Sequence, residues 1–455
     1  MIVTSTRVPT TRRLAATLYG YAFLTDFILL YPLYVLLFAD TGLSVGQISS
    51  LFVIWSATGV VLEVPSGAWA DAVSRRLLLA LAPLLPAAAF ALWVLVPSYP
   101  VFAVGFVLWG AGGTLRSGAL EALVFTELER IGAADRYARL MGRARTAEVC
   151  AAAASGALAG PVLAAGGYPA VGAASVAAGL LAAAVATRFP EHRPPRPAPS
   201  ADPRLDEYPS ADPGLDEHPS AGPGSGEQPA AAAGLAVPPS AADGSDEPGW
   251  LASLRAGLAE ARADRTVRAA LLLVPAVTAI WGGLDEYTGL LARDTGVTEA
   301  TVPLLLLLLW AGMTVGGLLA PAGERLTTRG YAGLLVLAAS ALAAGALIGH
   351  PAGFVLLAVA FAAFQLATVL ADVRLQARIT GPARATVTSV AGMATDLTII
   401  VFYAGYGVVA GVTGNGVAFA LAALPYLAMA AWLAGGGRGV ARRRPPARKS
   451  VVVGK

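Results

Sequence analysis

Apolar residues fall in long, nearly uncharged runs separated by short polar punctuation. Twelve runs have cores at 14–38, 48–70, 77–96, 101–124, 143–165, 168–188, 267–291, 300–322, 331–349, 352–373, 385–410 and 415–435. Each approaches the roughly 20 residues that a helix needs to cross a hydrocarbon core about 30 Å thick. The pattern predicts an all-α membrane protein of twelve transmembrane helices.

The punctuation alternates in charge. Arg7, Arg12 and Arg13; Arg75 and Arg76; Arg130, Arg136 and Arg139; Arg325 and Arg329; Arg378 and Arg384; and the tail ARRRPPARK all fall on one side. The other side carries SYP, GGYP, GHPAG and TGNG, with Arg293 as its lone cation. Loops rich in Lys and Arg stay on the cytoplasmic face. Both termini and the long central loop are therefore expected to be cytoplasmic. Residues 1–13 read as a basic tail leading into an uncleaved first span, and 436–455 as a second basic tail.

Residues 189–249 differ in kind. The decapeptide PSADPRLDEY recurs as PSADPGLDEH and then as the decayed PSAGPGSGEQ. Pro, Asp, Glu, Ser and Gly at this density cannot bury enough apolar surface to order a backbone, so a disordered cytoplasmic linker is expected. Residues 250–266, opening WLASLRAGL, read as an amphipathic helix on the inner surface. The linker separates six spans (14–188) from six (267–435), and a repeat relates them. Asp40-Thr41-Gly42-Leu43-Ser44 follows the first span and Asp294-Thr295-Gly296-Val297-Thr298 follows the seventh. The same offset brings Arg75 onto Arg329. Two pseudo-symmetric six-helix bundles are expected, with Ser44 and Gln47 forming a capping box at the second span.

Composition removes whole classes of function. The 455 residues are 56% hydrophobic and 13% charged, against about 25% charged in soluble proteins. A single cysteine, Cys150, leaves no internal disulfide or thiolate metal cluster. His192 and His218 lie in the linker and His350 in a loop, so no span carries the material for a metal site or a histidine-based catalytic pair. Nothing matches G-x-x-x-x-G-K-[ST], which argues against ATP as the driving force. The expectation is a protein that is not an enzyme and uses no cofactor, metal or nucleic acid.

Between the second and third spans lies GAWADAVSRR, which resembles the signature loop of the major facilitator superfamily, broadly G-x-L-A-D-R-x-G-R-R. Gly67, Asp71, Arg75 and Arg76 match, while Ala72 and Ser74 depart from it. The preceding Glu63-Val64-Pro65-Ser66-Gly67 is similar to the E-x-P-[ST]-G sequence of one bacterial branch, and the resemblance extends over all the spans. It implies that Gly67, Asp71, Arg75 and Arg76 form a conformational gate that latches the two halves on the cytoplasmic side. Gly156, Gly160 and Pro161 resemble the superfamily's span-five antiporter motif, although the closing pair Gly166-Gly167 comes two residues late.

Charges within spans need a reason, since each costs roughly 2.5–3.5 kcal/mol at mid-bilayer on insertion scales. Asp26 lies about 16 Å into span one and Arg116 about 12 Å into span four, at 1.5 Å per residue. Tyr19, Phe23, Leu30 and Leu33 or Tyr34 share the face of Asp26 on a continuous helix. The resemblance places spans one and four on a central cavity, so an Asp26–Arg116 pair is expected there. The bland alternative pairs Arg116 with Glu121, Glu148 or Glu63 near the inner surface. Thr278, Trp281, Asp285 and Thr288 form a polar stripe expected to face a wet cavity. Asp285 or Glu286 then serves as an acid of the outer vestibule. Asp396 and Tyr403 share a face of span eleven near mid-depth, with Arg374 or Arg378 as structural partners of the acid. Gln365 in span ten is a neutral candidate.

Embedded carboxylates that exchange protons and compete for cations are the physics of proton-coupled antiport. The resemblance thus implies a rocker-switch secondary transporter of a bacterial inner membrane, monomeric, exporting an amphiphilic small organic compound against protons. Asp26 is the first candidate for the coupling acid and Asp396 the second. Import of a metabolite by proton symport is the alternative within the class. A transporter-shaped sensor or scaffold signalling through the linker is the alternative outside it.

Overall fold

The computed structural model describes residues 7–192, 265–377 and 384–441, and among them every regular element is helical. The rest of the linker, most of the amphipathic segment at 250–266, and the chain ends at 1–6 and 442–455 lie outside the described residues. By contact the chain divides into Met1–Glu191 with Trp250–Lys455, and His192–Gly249. Only the first of these units is described beyond a single residue.

Twelve rods follow the twelve predicted runs. Span 1 comprises Arg7–Asp26 and Tyr34–Asp40, span 2 Val45–Ala72, and span 3 Arg75–Leu81 with Leu84–Leu95. Span 4 is Tyr99–Arg116, continued past a break by Ala119–Arg130. Spans 5 and 6 run together as Tyr137–Ala186, turning at Gly167, whose φ of 64° lies in the left-handed region that a side chain would disfavour. In the second half, span 7 comprises Arg265–Asp285 and Thr288–Asp294, span 8 Val302–Leu318, span 9 Thr328–Leu347 and span 10 Gly353–Gln376. Arg384–Thr413 forms span 11, and Asn415–Ala422 with Leu424–Ala441 forms span 12.

Seven helical stretches among the described residues are long and apolar enough to cross a bilayer unaided, Ala134–Ala186 counting as one of them. The other spans include interrupted or more polar helices. Interruption is tolerated at membrane depth only where protein satisfies the freed backbone. Span 1 shows how. Between Asp26 and Tyr34 the chain leaves the helix near Pro32, which has no N–H to donate, and the Leu30 N–H donates to Ser175 Oγ on span 6 at 3.0 Å.

The two halves repeat one packing scheme. Span 2 packs on 4 as span 8 packs on 10, 3 on 4 as 9 on 10, and 3 on 6 as 9 on 12. Small residues allow these approaches, as expected where lipid supplies no hydrophobic drive between helices. A Cβ on Gly312 or Gly316 of span 8 would stand 2.4 or 2.1 Å from the Ala358 and Ala362 carbonyl oxygens of span 10. The repeated D-T-G loops also share a conformation, with φ of 90° at Gly42 and 81° at Gly296. Ser44 and Gln47 form the capping box: Ser44 N–H donates to Gln47 Oε1 at 2.9 Å and Gln47 N–H to Ser44 Oγ at 3.3 Å. Thr298 instead shares a hydrogen bond with Thr301.

Candidate functional site: the cavity between the two halves

Each half presents one broken helix to the other, and the breaks correspond. Span 1 unwinds after Asp26 and span 7 after Asp285, both resuming before the D-T-G loop. Between these loops the halves close on each other. Arg293 Nη1 lies 2.7 Å from Asp40 Oδ1, and Tyr168 donates to Asp40 Oδ2 at 2.8 Å and to Glu299 Oε2 at 3.3 Å. Glu299 is half-buried; desolvation raises its carboxyl above the usual range, the adjoining Asp40 adds to this, and Arg293 opposes it. One layer deeper, Tyr287 donates to Ser49 Oγ at 2.8 Å and Tyr34 donates to Glu286. Phe52 packs edge-on to Tyr287 at 5.3 Å.

Close backbone crossings complete this closure. Span 5 meets span 8 where a Cβ on Gly160 would stand 2.1 Å from the Ala300 carbonyl oxygen and one on Gly156 2.8 Å from Leu307. Span 2 meets span 11 at Ser49 and Gly407, where an added Cβ would come within 2.7 Å of the serine. Among the described residues, these inter-half contacts gather at the end opposite the arginine-rich loops.

Toward the arginine-rich end the halves part around a cavity of about 540 Å³. Its walls run from Glu286 and Tyr403 down to Glu63 and Ser117, with Trp55, Trp109, Arg116, Gly282 and Asp396 between them. The aromatics are continuous: Trp55 and Trp109 lie 5.1 Å apart, and Tyr31 stacks on Trp109 at 5.2 Å. Three carboxyls and one guanidinium therefore share an aromatic-walled space. Arg116 ends its helix at the Ser117-Gly118 break, where Gly118 has a φ of 75°. Its Nη1 lies 3.5 Å from Asp26 Oδ2, at the end of the first helix of span 1.

Residues 16–402 match the sequence profile of the Major Facilitator Superfamily. The chain belongs to the major facilitator superfamily. Solved structures agree in fold. The nucleoside transporter NupG superposes with a TM-score of 0.65 at 12% identity, covering 93% of this chain and 98% of its own. A bacterial homologue of the human lysosomal transporter Spinster, inward-facing and unoccupied, gives 0.61 at 15% identity, with 98% and 100% covered. A D-xylose-proton symporter gives 0.58 at 14% identity, with 93% and 96% covered. No curated protein sequence matches.

Within this major facilitator fold several sequence expectations need correcting. Tyr19 and Phe23 are not among the described residues lining the large cavity: Tyr19 packs against a core cluster that includes Leu14, Leu18 and Leu120, and Phe23 stacks on Phe27 at 5.4 Å. The break after Asp26 brings Tyr31 and Tyr34 to the inter-half surface instead. Trp281 is turned into the core of the second half, its Nε1 donating to Thr368 Oγ1 at 3.0 Å and its ring against Phe361 and Phe364. The wet face of span 7 in the large cavity is Gly282 and Glu286, one turn apart. Asp285 and Glu286 lie behind the closed end, not in an outer vestibule. Gln365 is not among the described residues lining the large cavity or the chamber behind it.

Tyr403 and Asp396 line the cavity, and the group facing Asp396 is Glu63 across the interface. Arg374 sits over the Tyr331 ring at 4.2 Å and donates to the Leu326 carbonyl, and Arg378 lies outside the described residues. Gly156 and Gly160 sit at the crossing of spans 5 and 8, with Pro161 one residue on. Of the signature loop, the side chains at Gly67 and Asp71 lie outside the described residues. Ser74 caps the first helix of span 3, Arg75 N–H donates to Glu191 Oε1 at 2.8 Å and its Nη1 to Thr126 Oγ1 at 3.2 Å, while Arg76 is exposed. Trp55 and Trp109 escaped the sequence reading because a tryptophan in an apolar run carries no signal of which neighbour it faces.

Proposed function

We propose that this protein is a proton-coupled secondary transporter that exports an amphiphilic small organic compound by alternating access. In this reading the arginine-rich end is cytoplasmic, as loop charge requires, the membrane is a bacterial inner membrane, and the protein works as a monomer. The cavity then opens to the cytoplasm and the D-T-G end is the closed outer gate.

One observation carries the reading: Asp26 is held by Arg116, and Arg116 also lines the large cavity. A proton arriving on Asp26 removes the partner of Arg116. The freed guanidinium then competes for the cavity carboxyls Glu63, Glu286 and Asp396 and displaces a cationic or polarised substrate bound to them. Deprotonation restores the pair and releases Glu286 and Asp396 to the next substrate. Proton and substrate thus exclude each other, which is the requirement for exchange. The volume suits this role, since small-molecule sites span about 300–1,000 Å³.

Efflux of a fluorescent lipophilic cation from cells making wild type or Asp26→Asn, with and without a protonophore, tests it. Export abolished by the protonophore and by Asp26→Asn is expected. Wild-type export indifferent to the protonophore overturns proton coupling, and accumulation instead of efflux makes the protein an importer.

A further inference from the structure

Behind the large cavity, on the closed side, lies a second chamber of about 200 Å³. Asp285 and Glu286 both line it at the break in span 7, and Trp55, Trp109, Trp310 and Tyr31 supply ring walls. Glu286, Trp55 and Trp109 belong to both chambers, so they form the passage between them. We propose that this chamber binds the positively charged head of an organic monocation, a quaternary or protonated nitrogen, with Asp285 and Glu286 as its counter-charges. The proposal rests on the export reading and names the substrate class of that site.

Four observations converge. Asp285 Oδ1 is buried and has no hydrogen-bond partner among the described residues, a costly arrangement for a carboxyl. The Thr288 hydroxyl, three residues on, donates to the Asp285 main-chain oxygen at 2.6 Å. Among the described residues, the Tyr34 phenol is the donor to Glu286. The titratable side chains facing the pair from the packed spans are phenols: Tyr31 and Tyr34 on span 1, Tyr287 on span 7 and Tyr403 on span 11. Among the described residues lining the chamber none is cationic.

Two adjacent desolvated carboxyls without a protein cation must have their charge removed or balanced. Protons alone need no room and no particular wall. A chamber with π faces turned inward is the arrangement that attracts a cation, most strongly when it is indole-lined and desolvated. The apolar remainder of such a molecule then extends past Trp55 and Trp109 into the larger cavity, which gives the amphiphile its two environments.

The test is equilibrium binding of a fluorescent N-methyl-styrylpyridinium dye to purified full-length protein in nanodiscs, with no proton gradient. Saturable binding by wild type is expected, weakened at least tenfold by Asp285→Asn or Glu286→Gln and abolished by the double variant. Asp285→Glu, which keeps the charge, is expected to retain binding and so separates loss of charge from loss of fold. The neutral, unmethylated styrylpyridine at pH 8 is expected to bind at least tenfold more weakly than the dye. Absence of dye binding by wild type, wild-type affinity in the double variant, or equal affinity for the neutral analogue overturns the proposal. Gradient-driven export by wild type with dye affinity unchanged in the double variant sinks this site alone. Dye binding lost in the double variant, with wild-type export indifferent to the protonophore, sinks proton coupling alone.

Discussion

Arg293 meets Asp40 at 2.7 Å, so the residue just ahead of the second D-T-G loop is bound to the acid that opens the first. Its neighbour Asp294 takes a different partner, accepting from Asn415 Nδ2 of span 12 at 2.8 Å. The two copies of one loop have thus divided the work. One joins the halves, while the other anchors span 7 within its own half.

Breaking the joining pair loosens the closed end without unfolding the protein. Arg293 is 40% exposed and Asp40 27%, so solvent screens the attraction and it contributes at most about 1 kcal/mol. Asp40→Asn or Arg293→Gln is expected to shift the population toward opening of this end by roughly two- to fivefold. Distances between spin labels placed on the loops after spans 1 and 7 measure that shift. Unchanged distance distributions in both variants refute the assignment of this pair to the gate.

The crossing of spans 5 and 8 is a stricter constraint. A Cβ at Gly160 would lie 2.1 Å from a backbone oxygen, that of Ala300, which cannot swing aside as a side chain does. Overpacking of this kind costs about 1–3 kcal/mol, and the cost falls only on the closed arrangement. Gly160→Ala is therefore expected to hold the D-T-G end open and slow transport, while Gly405→Ala, at a position with open space around it, leaves both unchanged. Accessibility of a cysteine introduced at Tyr34, in a Cys150→Ser background, reads the difference. Equal labelling in the two glycine variants removes the argument.

Much of this architecture was legible in the chain. Run length gave the spans, and the paired D-T-G sequences gave the pseudo-symmetry because glycine at a positive φ is a local requirement. The side of each helix facing the cavity was less legible. Extending the face of Tyr19, Phe23 and Asp26 to Leu30 and Leu33 or Tyr34 assumes a helix that continues past Asp26, yet span 1 unwinds at 27–33, burying Leu30 and Leu33 and turning Tyr31 and Tyr34 to the inter-half chamber. The polar stripe on span 7 misled differently. Trp281 carries a polar N–H, but Thr368 on span 10 receives it, and that partner lies 87 residues away. Contacts across such separations leave no periodic trace.

The Trp281 side chain of span 7 belongs to the core of its own half. Trp281→Phe keeps most of the ring contacts with Phe361 and Phe364 but loses the hydrogen bond to Thr368. A lost bond of this type costs about 1 kcal/mol, so thermal stability in detergent is expected to fall modestly while affinity for the exported compound stays at the wild-type value. Glu286→Gln, on the cavity wall, is expected to do the reverse. A large affinity loss in Trp281→Phe at unchanged stability returns the tryptophan to the cavity.

Glu299 gives the closed end a pH dependence. Burial first, then the shared contact with Asp40, raises its carboxyl above the ordinary range, with Tyr168 and Arg293 opposing. These neighbours come from both halves, so opening exposes Glu299 and returns it toward an ordinary value near 4.3. A site that holds its proton more tightly when closed favours closure as pH falls and yields that preference as pH rises through the raised value. The effect therefore begins above the ordinary carboxylate range. The proton is retained where Asp40 and Glu299 meet, and losing it leaves two neighbouring anions to share Arg293 and Tyr168. Label distances across the D-T-G end, followed from neutral to acid pH, are expected to shorten in wild type and to stay constant in Glu299→Gln, which mimics the protonated state. A wild-type distance that lengthens on acidification reverses the sign and assigns the pH response to another group.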